Sequence, residues 1–181
     1  MPECPADCAA MLLHLLRHGR AVETGTAGFE RDVVRPLTAD GRQRVKAVAE
    51  GMRVLGLKFD LVLSSPAVRA RETADLVVQH LRCRRRVVER AELGITAEPR
   101  DVVLFLAGLR PVPASILLVG HEPYLGRLLS LLVSGAPDLA IPLRKAGLAR
   151  LSTQHLLAGR CASLDWLLTA RQLARIGQSD R

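Results

Sequence analysis

Apolar residues along this chain fall into two alternating kinds of run. Short continuous stretches lie at 11–16, 60–63 and 115–119, with a briefer one at Val87-Val88, as in strands covered on both faces. Between them, apolar positions recur every three or four residues: Val45, Val48, Ala49, Met52 and Leu55, then Ala70, Ala74, Val77 and Leu81. The same spacing returns in Val102, Phe105, Leu106 and Leu109, and in Leu125, Leu128, Leu129 and Leu132. Each set falls on one face of a helix. Thr38 suits the N-cap of the first helix and Gly56 its stop, and the spacing predicts further helices over 67–81 and 100–109. The helix after residue 121 stops at Ser134-Gly135-Ala136-Pro137, residues 148–151 and 164–168 predict two antiparallel strands, and 170–176 a last short helix.

Strands alternating with helices predict an α/β fold, a three-layer α/β/α sandwich with a mostly parallel central sheet. A chain of 181 residues with 49% hydrophobic content can fill one core. Without repeats, low-complexity tracts or a Ser/Gly-rich linker, it reads as a tail over 1–10 followed by a single domain over 11–181. The tail carries Glu3 and Asp7 but no basic residue before the apolar run, and His14 interrupts that run, so no secretory signal is expected. No stretch approaches the roughly 18 uninterrupted apolar residues of a spanning helix. A cytoplasmic protein with no membrane partner is the expectation.

Cys4, Cys8, Cys83 and Cys161 lack Cys-x-x-Cys spacing and nearby histidines, which argues against a zinc site or a redox pair. The formal charge of +8 is carried mostly by arginine and raises the question of nucleic acid. Aromatic residues make up only 3% of the chain, too few for base-stacking platforms, and no recognition-helix, zinc-finger or RNA-module signature is present. No nucleic-acid partner is therefore expected. The run Arg82, Arg84, Arg85 and Arg86 stands where a predicted helix ends, a position that favours cations, and reads as a solvated terminus.

The chemistry-bearing residues stand at strand ends, where α/β sheets keep their sites. Arg17-His18-Gly19 follows the first apolar run, Ser64-Ser65-Pro66-Ala67-Val68-Arg69 the second, and Val119-Gly120-His121-Glu122-Pro123 the clearest one. Two guanidinium groups and two imidazoles converging at one edge would suit a phosphoryl group, because a forked, permanently charged donor matches phosphate oxygens. Neighbouring arginines disfavour imidazolium, which leaves a ring nitrogen free to attack phosphorus. His18 is the candidate nucleophile, with Arg17, Arg69 and His121 stabilising the phosphoryl group in flight. Arg71, two residues after Arg69, cannot share its helix face and reads as a surface charge. His14, His80 and His155 have no motif around them and read as packed or solvent-facing. The carboxylate-histidine spacing of metal sites is absent, so neither a metal nor a cofactor is expected.

Taken together, Arg17-His18-Gly19 with Ala21, Arg35-Pro36-Leu37-Thr38 with Gly41, Ser65-Pro66-Ala67-Val68-Arg69-Ala70 with Thr73, His121 with Pro123, and Asp165-Trp166 resemble the histidine phosphatase (phosphoglycerate mutase-like) superfamily. The likeness is nearest to the small SixA-type phosphohistidine phosphatases and covers roughly residues 11–170. It implies that His18 of the RHG motif is phosphorylated, that Arg17, Arg69 and His121 bind phosphate, and that Arg35 from the covering loop adds a contact. Wider members protonate the leaving group with a carboxylic acid, for which Glu92 is nearest by position, with Glu89, Glu98 and Asp101 close by.

An alkoxide leaving group needs that proton far more than an imidazole does, since the conjugate acid of imidazole has a pKa near 6.5. Few residues separate the strands, leaving little material for a lid. The leading expectation is a metal-independent phosphatase acting on protein phosphohistidine. The alternatives are a small-molecule phosphomonoesterase on the same fold and a non-catalytic phosphate- or nucleic-acid-binding module. The partner is accordingly a phosphorylated protein or a small phosphorylated substrate.

Overall fold

The computed structural model describes residues 10–179, so Cys4, Cys8 and all but the last residue of the expected tail lie outside it. A six-stranded sheet has the order β3-β2-β4-β1-β5-β6. The strands are β1 (Met11–Arg17), β2 (Leu61–Ser64), β3 (Val87–Glu89), β4 (Ser115–Gly120), β5 (Leu148–Thr153) and β6 (Ser163–Leu168). The first four are mutually parallel, β5 runs antiparallel to β1, and β6 runs antiparallel to β5. Five α-helices accompany them among the described residues: α1 (Ala39–Val54), α2 (Val68–His80), α3 (Pro99–Ala107), α4 (Tyr124–Ser134) and α5 (Ala170–Gln178). The fold is the expected mixed α/β sandwich, and its helix ends fall within a few residues of the predicted ones.

Alternation along the strands divides the core in two. Leu13 and Leu15 of β1, with Ile116 and Leu118 of β4, pack against α3 and α4 through Val102, Leu106, Leu125 and Leu128. Leu16, Leu117 and Val119 face the other way, onto Val45, Val48 and Met52 of α1, Ala70 and Val77 of α2, and Leu173 of α5. His14 belongs to this second face. It is 1% exposed and stands edge-on to Phe59 with ring centroids 5.1 Å apart.

Parallel pairing decides where the chemistry goes. Arg17 is in register with Gly120, and Ser64 with Val119. β4 lies between β1 and β2, so the residues following these three strands emerge side by side. The run Arg82–Arg86 leads into the start of β3 and therefore lies at the opposite sheet edge.

The segment from β1 to α1 folds back over this edge. Ala21 bridges Leu37, and a short 3-10 turn forms at Asp32–Val34 where the sequence shows no period. Thr38 caps α1 as expected, accepting from the Gly41 N–H at 3.0 Å. Glu72 of α2 anchors the segment by accepting from the Leu37 N–H at 2.7 Å. Gly41 is required by close approach, because a Cβ there would stand 2.1 Å from the Arg20 carbonyl oxygen. Gly41→Ala must push two backbone segments apart. It is expected to cost roughly 1–3 kcal/mol, read as a lowered thermal midpoint by circular dichroism. An unchanged midpoint would show that the segment is not held this tightly.

Candidate active site

His18 and His121 follow β1 and β4 directly, and their rings lie 5.0 Å apart, tilted by 57°. Both are buried, at 8% and 2% exposure. His18 Nδ1 is 2.7 Å from the Gly19 carbonyl oxygen, which can only accept, so the ring proton resides on Nδ1 and the lone pair on Nε2. Arg69 Nε donates to that Nε2 at 3.3 Å. Gly19 is held to α2 by its own N–H, which donates to Thr73 Oγ1 at 3.1 Å, while the Thr73 hydroxyl donates to the Arg69 carbonyl. One turn of α2 thus positions both the strand end and the guanidinium.

Across the site, His121 Nε2 lies 2.8 Å from Ser65 Oγ. Ser65 Oγ also accepts from the Ala67 N–H at 3.3 Å, and His121 Nδ1 is a buried atom without a hydrogen-bond partner among the described residues. Arg17 is similar in part: Nη1 donates to the Leu143 carbonyl at 2.9 Å, whereas buried Nε has no partner. Glu122 Oε1 accepts from the Leu143 N–H at 2.8 Å and so steadies the group that holds Arg17.

Arg35 reaches the site through a residue that sequence reasoning missed. Asp32 accepts from Arg35 Nε at 2.9 Å through Oδ1 and from Arg69 Nη2 at 2.6 Å through Oδ2, and its carbonyl accepts from Arg69 Nη1 at 2.6 Å. One carboxylate therefore ties two guanidinium groups together. The available signal was the spacing of Asp32 and Arg35, but the course of the segment decides whether such a pair meets a third partner. Burial pushes the Asp32 carboxyl up, yet hydrogen bonds from Arg35 and Arg69 outweigh it and hold the group below its usual range.

Glu92 stands apart from this cluster. It sits in a 3-10 turn after β3, accepts from Arg90 Nε at 3.1 Å, and is paired with Arg90 through its other oxygen as well. No hydrogen bond or ion pair joins Glu92 to His18, Arg69 or His121 among the described residues. The bond from Arg90 holds its carboxyl below the usual range. Arg71 is on the surface, paired with Asp75 and Glu89.

The electrostatics favour neutral imidazoles. Burial lowers the His18 pKa to about 3, with added repulsion from His121, Arg69 and Arg17. Burial and then Arg69 lower His121 to about 4, against a smaller opposing pull from Asp32. Among the described residues, no three of His, Cys, Asp and Glu are grouped to hold a metal ion.

The model of the histidine phosphatase superfamily (branch 1) matches residues 13–94. An uncharacterized protein of a Picosynechococcus species is 34% identical over 147 residues, covering 76% of this chain and 82% of that relative. The chain belongs to the histidine phosphatase superfamily. A solved structure of the protein histidine phosphatase SixA complexed with tungstate shares the fold, with a TM-score of 0.78, 23% identity, and 90% of this chain and 99% of that one covered. A protein from Nakamurella multipartitia described as a candidate SixA phosphohistidine phosphatase gives a TM-score of 0.71 at 27% identity, over 87% of this chain and 95% of that one. The superfamily match spans His18, Arg35, Arg69 and Glu92, whereas His121 lies beyond it and joins the group through the β1–β4 pairing. No helix among the described residues is long and apolar enough to cross a membrane.

Proposed function

We propose that this chain is a metal-independent phosphatase working through a phosphohistidine on His18, and that its substrates are phosphohistidine side chains of proteins. The observation that carries the reading is the fixed tautomer of His18. Its Nδ1–H is spent on Gly19, and its Nε2 lone pair lies beside Arg69 and a ring already repelled from taking a proton. In the first step this lone pair forms an N–P bond while the P–N bond of the substrate breaks. The substrate ring, already protonated from solvent on its other nitrogen, takes up the electron pair of the broken bond and departs as neutral imidazole. In the second step water attacks phosphorus, the P–N bond to His18 breaks with its pair returning to Nε2, and phosphate leaves as the water's proton passes to solvent. Arg17, Arg35 and Arg69 offset the charge on the equatorial oxygens, and His121 donates to one of them. Asp32 orients Arg35 and Arg69. A protein of the same fold, the protein histidine phosphatase SixA, is known in complex with tungstate, a tetrahedral oxyanion, which supports an oxyanion ligand for this fold.

The substrate class rests on Glu92. Its carboxylate is paired with Arg90 and bonded to none of His18, Arg69 and His121, which suits a leaving group that departs without strong acid assistance. Imidazole is such a group and an alkoxide is not. Glu92→Gln is accordingly expected to change turnover of a phosphohistidine protein by less than about threefold, whereas a general acid contributes about 10²–10⁴-fold. A loss in that larger range would assign Glu92 the proton. The reading as a whole is tested by steady-state assays of a phosphohistidine protein beside sugar phosphates. Higher kcat/KM on the phosphoprotein is expected. A strong preference for the sugar phosphates would replace it with a small-molecule phosphomonoesterase.

A further inference from the structure

Beside the catalytic edge lies a cleft of about 500 Å³ lined by Arg20, Arg44, Arg144, Lys145 and Arg171, with Asp40 as its only carboxylate. The strand pairing explains why these residues, far apart in sequence, share one place. Arg20 follows β1. Arg144 and Lys145 precede β5, whose first residue Leu148 is in register with Leu16 at the end of β1. Arg171 follows β6, whose last residue Leu168 is in register with Leu148. Arg44 lies in the second turn of α1, where Gly41 packs on the Arg20 backbone. The cleft adjoins the strand end that bears the site, because the N–H of Ala146, one of its lining residues, donates to the carbonyls of Arg17 and His18 at 3.1 and 3.2 Å.

All five cations are exposed, and none has an ion-pair partner among the described residues. Elsewhere on the surface arginines meet carboxylates, as Arg71 does with Asp75 and Glu89 and Arg127 with Glu98. Five like charges around one concavity repel one another, and an anionic partner relieves that repulsion. No aromatic side chain lines the cleft, so it offers no stacking platform for nucleic-acid bases.

We infer that this cleft is a docking site for an acidic, carboxylate-rich segment of the phosphorylated protein, holding it while the neighbouring phosphohistidine enters the site at His18. The inference rests on the reading of the substrate as a phosphoprotein. Binding to the cleft can nonetheless be measured without turnover.

The direct probe is a fluorescein-labelled peptide rich in glutamate, followed by anisotropy against the full chain and the variant Arg44→Glu, Lys145→Glu, Arg171→Glu. None of these residues belongs to the phosphate-binding group. The unaltered protein is expected to bind the acidic peptide at least tenfold more tightly than an uncharged peptide of equal length. The affinity should fall with added salt, and the variant should lose at least tenfold. Equal binding by the variant, or no preference for the acidic peptide, would overturn the docking site. So would tighter binding of a single-stranded oligonucleotide of equal charge. Turnover separates the two readings. The variant should lose at least tenfold in kcat/KM on an acidic phosphohistidine protein and keep its rate on phosphoramidate. If the peptide binds as expected while no phosphohistidine protein is hydrolysed, the proposed substrate fails and the docking site stands.

Discussion

His18→Ala is expected to abolish turnover, with kcat reduced by at least about 10⁴-fold, because the step that forms the intermediate loses its only nucleophile. The loss should be specific to chemistry. His18 lies at a strand end under a loop, and its ring makes one hydrogen bond to its own neighbour, Gly19, and one from Arg69. Circular dichroism should therefore report a folded variant. His121→Ala provides the contrast. It removes a donor to the equatorial oxygens and leaves the attacking nitrogen in place, a change worth about 10²–10³-fold for a single donor of this kind. A His18→Ala protein that retains activity within tenfold of the parent would reject the nucleophile.

The second large effect is on stability in mild acid. His14, His18 and His121 have pKa values lowered by burial to about 4, 3 and 4, whereas an unfolded histidine titrates near 6.5. Well above pH 6.5 neither state binds these protons and stability is complete. As pH falls from 6.5 toward 4, the unfolded chain takes up protons that the folded chain refuses, so stability decreases through that window. Between pH 7 and 5 the loss is about 2 kcal/mol for each histidine. Three such losses are large beside the usual net stability of about 5–15 kcal/mol. Urea unfolding at a series of pH values would measure it. His14→Leu should flatten the dependence by about one proton, since the His14 ring is packed against Phe59, has only a 3.3 Å contact with the Ile116 carbonyl, and leaves Nε2 unpartnered. A stability that is flat from pH 7 to 5 would show that these rings titrate as exposed groups do.

Much of this was readable because burial leaves a periodic trace. Continuous apolar runs became the sheet, and the three-and-four spacing from Val45 to Met52 and from Ala70 to Val77 became α1 and α2. Even β5 and β6, which carry no chemistry, pair antiparallel as their short runs suggested. Strand ends were then enough to find His18, Arg69 and His121, since parallel neighbours deliver their ends to one edge. What carried no period stayed hidden. The segment between β1 and α1 is ordered by particular bonds, from Leu37 N–H to Glu72 and from Thr38 N–H to the Arg20 carbonyl, and it places Asp32 between Arg35 and Arg69. The partner of a carboxylate is likewise invisible in a pattern of burial. Glu92 occupies a plausible position along the chain, but Arg90, two residues before it, claims its charge.

The central claim is that phosphorus is bonded to a nitrogen of His18 during turnover. Rapid mixing with a ³²P-labelled phosphohistidine protein, quenching in base, and mass spectrometry of the peptides test it directly. The account predicts label on His18 that is stable in base, lost in acid and absent from His18→Ala. Turnover at the normal rate with no phosphorylated His18 peptide, or with the label on another residue, would contradict it.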